Sequence, residues 1–136
     1  SFAGASVNLG VLLSRTGRWA DAETVLVEAV RRNPDSAAAH AQLGVVYREL
    51  GRFGDAERAY RRALELDPKS ERTHRNLGVL LDLYLQQPSA ALPHYESVLA
   101  LRGGEDKQIS AWIAELRQRL GSNARTAQSA PAEETP

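Results

Sequence analysis

Residues 40–68 read HAQLGVVYRELGRFGDAERAYRRALELDP. Leu43, Val46, Tyr47 and Leu50 fall at i, i+3, i+4 and i+7, and Ala56, Ala59, Tyr60 and Ala63 repeat that spacing. Each set lines one face of an amphipathic helix. Gly51 stands between the two, where a positive φ is cheap only for glycine. Pro68 follows the second, where a residue with fixed φ and no N–H stops a helix. The segment therefore reads as a helical hairpin.

Working outward, the same hairpin recurs on both sides. Leu9-Gly10, Leu43-Gly44 and Leu77-Gly78 recur at intervals of 34 residues, with Asn8, Gln42 and Asn76 in step before them. Leu13, Tyr47 and Leu81 share that spacing, as do Gly17 with Gly51, Trp19 with Phe53, Ala22 with Ala56, Ala29 with Ala63, and Pro34 with Pro68. After Leu81 the third copy slips, because Ala91 and Tyr95 follow Ala56 and Tyr60 by 35 residues and Val98 stands where Ala63 stood. One residue has been inserted there. Ser36 and Ser70, after Pro34 and Pro68, offer caps for the next helices. The spacing predicts helices at about Ala3–Thr16, Trp19–Arg32, Ser36–Leu50, Phe53–Leu66, Glu71–Leu85 and Ser89–Leu101.

Composition narrows the function classes. The chain has 136 residues, with 17 Lys plus Arg against 17 Asp plus Glu interleaved along its length. A formal net charge of zero removes the field that a nucleic-acid or membrane-surface binder needs, so neither partner is expected. No stretch approaches the roughly 20 apolar residues that span a bilayer, so direct membrane insertion is not expected either. The chain has no Cys, which excludes disulfides, a thiolate nucleophile and thiolate zinc sites. It also has no Met, which points to a processed or excised piece of a longer protein. Arg supplies 15 of the 17 basic residues, a usage that suggests a bacterial source. The expected compartment is then the bacterial cytoplasm or periplasm.

The chain resembles the tetratricopeptide repeat family, whose pattern over 34 residues is an aromatic, Leu-Gly, Tyr, Ala, an aromatic, then Pro. The resemblance covers about Ala3 to Leu101 and is fullest in the middle copy, which has Leu43, Gly44, Tyr47, Ala56, Tyr60, Ala63 and Pro68, with His40 in the place of the leading aromatic. It implies an all-α, right-handed superhelical solenoid of three helix hairpins. Their small residues, Gly10, Gly44, Gly78, Ala22, Ala56 and Ala91, let paired helices approach closely. The repeats are expected at about 3–36, 37–70 and 71–104.

Beyond them, Ile109, Trp112, Ile113, Leu116 and Leu120 keep helical spacing, while Lys107, Glu115, Arg117 and Arg119 can face water. This predicts a capping helix within residues 105–121, from Asp106 to Leu120, with Gly121 ending it. Residues 122–136 have no large apolar side chain and are expected as a disordered tail.

No motif of catalysis emerges. There is no nucleophile elbow, no phosphate-cradling glycine loop and no metal-ligand spacing, so neither an enzyme, a cofactor nor a metal is expected. His40 and His74 occupy one repeat column and read as half-buried substitutes for an aromatic, and isolated His94 reads likewise. What remains is recognition. The resemblance implies that the inner sides of the first helices contact a peptide or helix of a partner protein. In register those positions are Val7, Val11, Ser14 and Arg15, then Ala38, Ala41, Val45, Arg48 and Glu49, then Arg72, Arg75, Val79 and Asp82. Relatives that bind chaperone tails hold a terminal carboxylate with Lys and Asn at inner positions, where this chain has Val7, Val11, Ala41 and Val45. The arginines instead favour an acidic segment. The leading expectation is a protein-interaction scaffold, and the alternative is a structural or self-association segment of a longer repeat protein.

Two local expectations follow. Ser1-Phe2 align with the links between repeats, so a further repeat is expected upstream, and Leu12 and Val11 are expected to lie partly uncovered and able to find a second copy. In the third hairpin, Pro88 should end the preceding helix by about Gln86, roughly a turn later than its predecessors. Pro93 should then delay regular bonding in the next helix to near Ala90 or Ala91.

Overall fold

The computed structural model describes residues 1–129 and is helical throughout. The first hairpin is α1 (Phe2–Arg15) and α2 (Trp19–Arg32), and the second is α3 (Ala37–Glu49) and α4 (Phe53–Leu66). The third begins with α5 (Glu71–Val79), continues in a π-helical turn over Leu80–Tyr84, and closes with α6 (Pro88–Leu101). A last helix, α7 (Lys107–Ser129), follows.

Local chemistry repeats with the period. Gly4, Ala39 and Thr73 donate their amides to the hydroxyls of Ser1, Ser36 and Ser70, which satisfies one orphan N–H at the start of each first helix. Gly17 and Gly51 take φ of 75° and 76°. After them Arg18 donates to the Leu13 carbonyl and Arg52 to the Tyr47 carbonyl, the bond that closes a helix end around a left-handed residue. His40 and His74 each place Nε2 against the carbonyl of the preceding link's proline, Pro34 at 2.8 Å and Pro68 at 2.7 Å. The column thus ties each first helix to the link before it. His94 is not isolated: its Nδ1 lies 3.1 Å from that of His74.

The hairpins stack through two clusters. Ala22 and Leu26 of α2 meet Leu43 and Val46 of α3, flanked by Trp19 and Val30. Further along, Ala56 and Tyr60 of α4 join Leu77, Leu80 and Leu81, then Ala91, Tyr95 and Val98 of α6, and lastly Ile109, Ile113 and Leu116 of α7. Burial of these side chains is the main stabilising term, since no single hairpin can cover its own faces.

The third hairpin accommodates its extra residue by a route the sequence did not indicate. The helix ends at Tyr84, seven residues after Leu77, where its predecessors stop six residues after Leu9 and Leu43. The extension is one residue, not a turn. Leu85 donates to the Leu80 carbonyl at 2.9 Å, five residues back, and so widens one turn enough to absorb the insertion. Gln86 then adopts φ of 53°, the place that Gly17 and Gly51 fill in the other repeats. Pro88 opens α6, and Ala90 and Ala91, both donating to the Gln87 carbonyl at 3.1 Å, begin its bonding as expected. Pro93 lies inside α6 and leaves the Ser89 carbonyl without its usual amide.

Two further expectations need correction. Gly121 does not end the capping helix, because α7 runs on to Ser129 and residues 122–129 are helical. Helix propensity along Ala, Arg and Gln prevails over one glycine whose cost is about 1 kcal/mol. Residues 130–136, the rest of the expected tail, lie outside the described residues. Arg119 is exposed as expected and also reaches back to Asp82 in the π turn. The start of the helix is as expected, with Asp106 accepting the Ile109 amide at 2.9 Å. Among the described residues no helix is long and apolar enough to cross a membrane.

Candidate functional site

The inner faces of α1, α3 and α5 line a shallow groove with two depressions. The first, about 250 Å³, is floored by Val7 and Val11 of α1 and by Ala37, Ala38, Ala41 and Gln42 of α3. Ser70, Arg72, Thr73 and Asn76 form its opposite wall, with Ala63 and Asp67 between. Small residues on α3 make the hollow, because an alanine side chain leaves the space a leucine would fill. The wall on α5 is polar for a local reason: Ser70 caps that helix, and Thr73 packs beside it with hydroxyls 2.8 Å apart.

The second depression, about 220 Å³, lies where α7 closes the groove. Val79, Leu83, Tyr95 and Trp112 line it together with Asp82, Glu115 and Arg119. Arg119 donates from one nitrogen to both oxygens of Asp82, at 2.9 and 3.1 Å. The Asp82 side chain is only 9% exposed, so this carboxylate is occupied and not free for a ligand. The Trp112 ring packs tilted against Tyr95 with centroids 5.5 Å apart, and the Arg75 guanidinium lies over the Trp112 face at 5.4 Å. Burial pushes the Tyr95 phenol up to about 12, and it stays neutral at physiological pH.

Of the twelve positions read from the sequence, Val7, Val11, Ala38, Ala41 and Arg72 come together in the first depression and Val79 and Asp82 in the second. Arg15, Val45, Arg48, Glu49 and Arg75 line neither. Val45 is half-buried against the core. Arg48 donates to its neighbour Glu49 at 3.2 Å, and its Nε is buried with no hydrogen-bond partner among the described residues. The Tyr60 hydroxyl is buried in the same condition, and burial pushes that phenol up to about 12. Ser14 is not a groove residue: its hydroxyl donates to the Gly10 carbonyl at 2.7 Å and accepts from the Gln42 amide at 3.3 Å. Arg72 is exposed and forms no ion pair among the described residues.

Sequence reasoning missed the polar wall and the α7 residues. Gln42 and Asn76 were visible as the column before each Leu-Gly pair, a signal that reads as register and not as lining. Trp112, Glu115 and Arg119 had no such signal, because the repeat period stops before α7. Among the described residues no group of three or more His, Asp or Glu side chains is placed to hold a metal ion.

Paired antiparallel helices stacked in register, with first helices inward, define a helical-hairpin solenoid. The family model of the tetratricopeptide repeat matches residues 7–71, so this part of the chain carries tetratricopeptide repeats. No curated protein sequence matches it. Among solved structures it is similar to the second such domain of human RPAP3 in complex with an HSP70 peptide, at 19% identity and a TM-score of 0.75, over 85% of this chain and 95% of that one. It is also similar to the TPR2B domain of yeast Sti1 in complex with an Hsp70 segment, at 17% identity and 0.76, over 87% and 98%. The type III secretion chaperone SycD of Yersinia enterocolitica, in complex with a peptide of the translocator YopD, matches at 15% and 0.76, over 85% and 92%. At these identities the likeness is one of fold.

Proposed function

We propose that this chain is a protein-interaction scaffold whose groove holds an acidic peptide or helical segment of a partner protein, without catalysis of its own. The observation that carries the reading is the first depression. It spans all three first helices, with an apolar floor of Val7, Val11, Ala38 and Ala41 facing an exposed, unpaired Arg72 flanked by the side chains of Ser70, Thr73 and Asn76. Such a surface suits a segment that buries small apolar side chains on one side and offers a carboxylate on the other. That the similar domains of RPAP3, Sti1 and SycD were each solved with a peptide supports the same use of the fold.

The double substitution Arg72→Glu, Arg75→Glu tests this on captured partners. A charge-assisted bond contributes about 1.5–3 kcal/mol when desolvated and under about 1 kcal/mol when exposed. Exposed Arg72 puts the loss near the lower figure, about fivefold in affinity, with Arg72→Glu alone giving most of it. Because Arg75 also packs on Trp112, circular dichroism should show the double variant folded. Unchanged affinity in a folded double variant would refute the groove as the site.

A further inference from the structure

A segment suited to the groove is acidic and small in its apolar side chains, and this sequence carries one. Residues 130–136, outside the described residues, read APAEETP. Ala130, Pro131 and Ala132 are of a size with a depression of about 250 Å³ whose floor is valine and alanine. Glu133 and Glu134 follow at once, two adjacent carboxylates that complement exposed Arg72 and Arg75 one turn further along α5. A proline in such a segment also lowers the ordering cost of docking, since its φ is fixed beforehand.

Reach decides which groove the segment can enter. Arg75 lies over Trp112 and Asp82 pairs with Arg119, so α7 runs beside α5 in the same direction, both advancing seven residues between the two contacts. Arg72 stands ten residues before Asp82, about 15 Å back along the helix, and Ser129 stands ten residues beyond Arg119, about 15 Å the other way. About 30 Å along the axis therefore separates the end of α7 from Arg72. Glu134 is five residues past Ser129 and extends at most about 18 Å, and the chain must first turn back on itself. These carboxylates fall short of the arginines of their own chain. The groove open to them is that of another copy.

Resting on the groove reading above, we propose that residues 130–136 of one copy dock in the first depression of a second copy. Glu133 and Glu134 then meet Arg72 and Arg75 of the second copy, and Ala130, Pro131 and Ala132 lie on its valine and alanine floor. Tail and groove are different surfaces, so the contact is heterologous and copies join head to tail.

The test is analytical ultracentrifugation of the full 136-residue chain over a concentration series, at low and at high salt. The mean mass should rise with concentration, and less so at high salt, where exposed charges are screened. Glu133→Lys, Glu134→Lys should raise the concentration of half-association about tenfold, and Arg72→Glu about fivefold, with circular dichroism as in the parent. The deciding arm mixes these two variants. Each supplies the element that the other lacks, so association should return in the mixture. A parent that stays monomeric, association that survives Glu133→Lys, Glu134→Lys, or no return on mixing would overturn the proposal. Loss with the tail variant but not with Arg72→Glu would do so as well, because the tail would then sit outside the groove. A captured acidic partner that binds a monomeric parent and is lost in Arg72→Glu, Arg75→Glu would refute the tail as occupant while leaving the groove reading standing.

Discussion

Gly44→Ala puts the closeness of the paired helices to a quantitative test. A Cβ at this position would lie 2.4 Å from Cε1 and 2.5 Å from Cδ1 of Tyr60, where carbon atoms normally rest about 3.5–4.0 Å apart. The ring has no easy retreat, because Tyr60 is fully buried and packed in the cluster with Leu77, Leu80 and Leu81. The α3–α4 spacing would have to open by about 1 Å, and overpacking of that kind costs about 1–3 kcal/mol. Alanine's better helix propensity returns about 1 kcal/mol. With three ring atoms inside 3.0 Å the steric term belongs at the top of its range, which leaves a net loss of about 2 kcal/mol. For a domain of this size the melting temperature should fall by about 8 °C, with urea denaturation followed by circular dichroism giving the free energy. Gly121→Ala supplies the opposite sign in the same assay. Nothing lies within 4 Å of its added Cβ, so only propensity acts and helicity should rise. A Gly44→Ala variant as stable as the parent would refute the close-approach reading of the Leu-Gly columns.

Gln86→Gly should stabilise the chain by about 0.5–1 kcal/mol in the same denaturation assay, because φ of 53° disfavours any side chain and glycine relieves that strain; a loss of stability would show the strain to be absent. Burial, the His74 ring and Arg61 pull the His94 imidazole down from 6.5 to about 4. The unfolded chain therefore binds a proton that the folded chain refuses between those values, and stability falls as pH drops from about 6.5 towards 4. Since His94 is only partly buried, the loss is set at about 1–2 kcal/mol, well under the full linkage value. His94→Ala, which installs the residue that the column holds at Ala59, should remove that slope in urea titrations run across the window, and an unaltered slope would exclude His94 as its source.

Where the fold was legible in the sequence, it was so because packing requires it. The Leu-Gly columns at 10, 44 and 78 are small because Leu26, Tyr60 and Tyr95 lie against them, and Gly17 and Gly51 are glycine because the chain turns through positive φ there. A constraint met three times leaves a period that can be counted. The π turn was hidden because it follows from how the backbone spreads one inserted residue, and Gln86 does the work of a glycine without being one. The floor of the groove was readable from register, as Val7, Val11, Ala38 and Ala41 show. The C-terminal end was not, since contacts such as Arg119 to Asp82 join residues 37 apart outside any repeat.

The inserted residue also shapes the end of the groove. By widening one turn, the π segment keeps Tyr95 and Val98 in the core, where they are 2% and 0% exposed, so the repeat interface is preserved. The adjustment falls instead on the inner face. Asp82 is drawn into a pair with Arg119, and Leu83 stands 66% exposed in the register where the earlier repeats carry Arg15 and Glu49. A carboxylate neutralised by α7 cannot repel an acidic ligand, and a leucine beside Val79 and Trp112 offers it an apolar contact. On the proposed reading, a bound segment would place its carboxylates near Arg72 and a larger apolar side chain towards α7. Reversing the segment would set its acidic groups against Glu115 and leave Arg72 unpaired. The asymmetry of the third repeat thereby gives the groove a direction that three identical hairpins would lack.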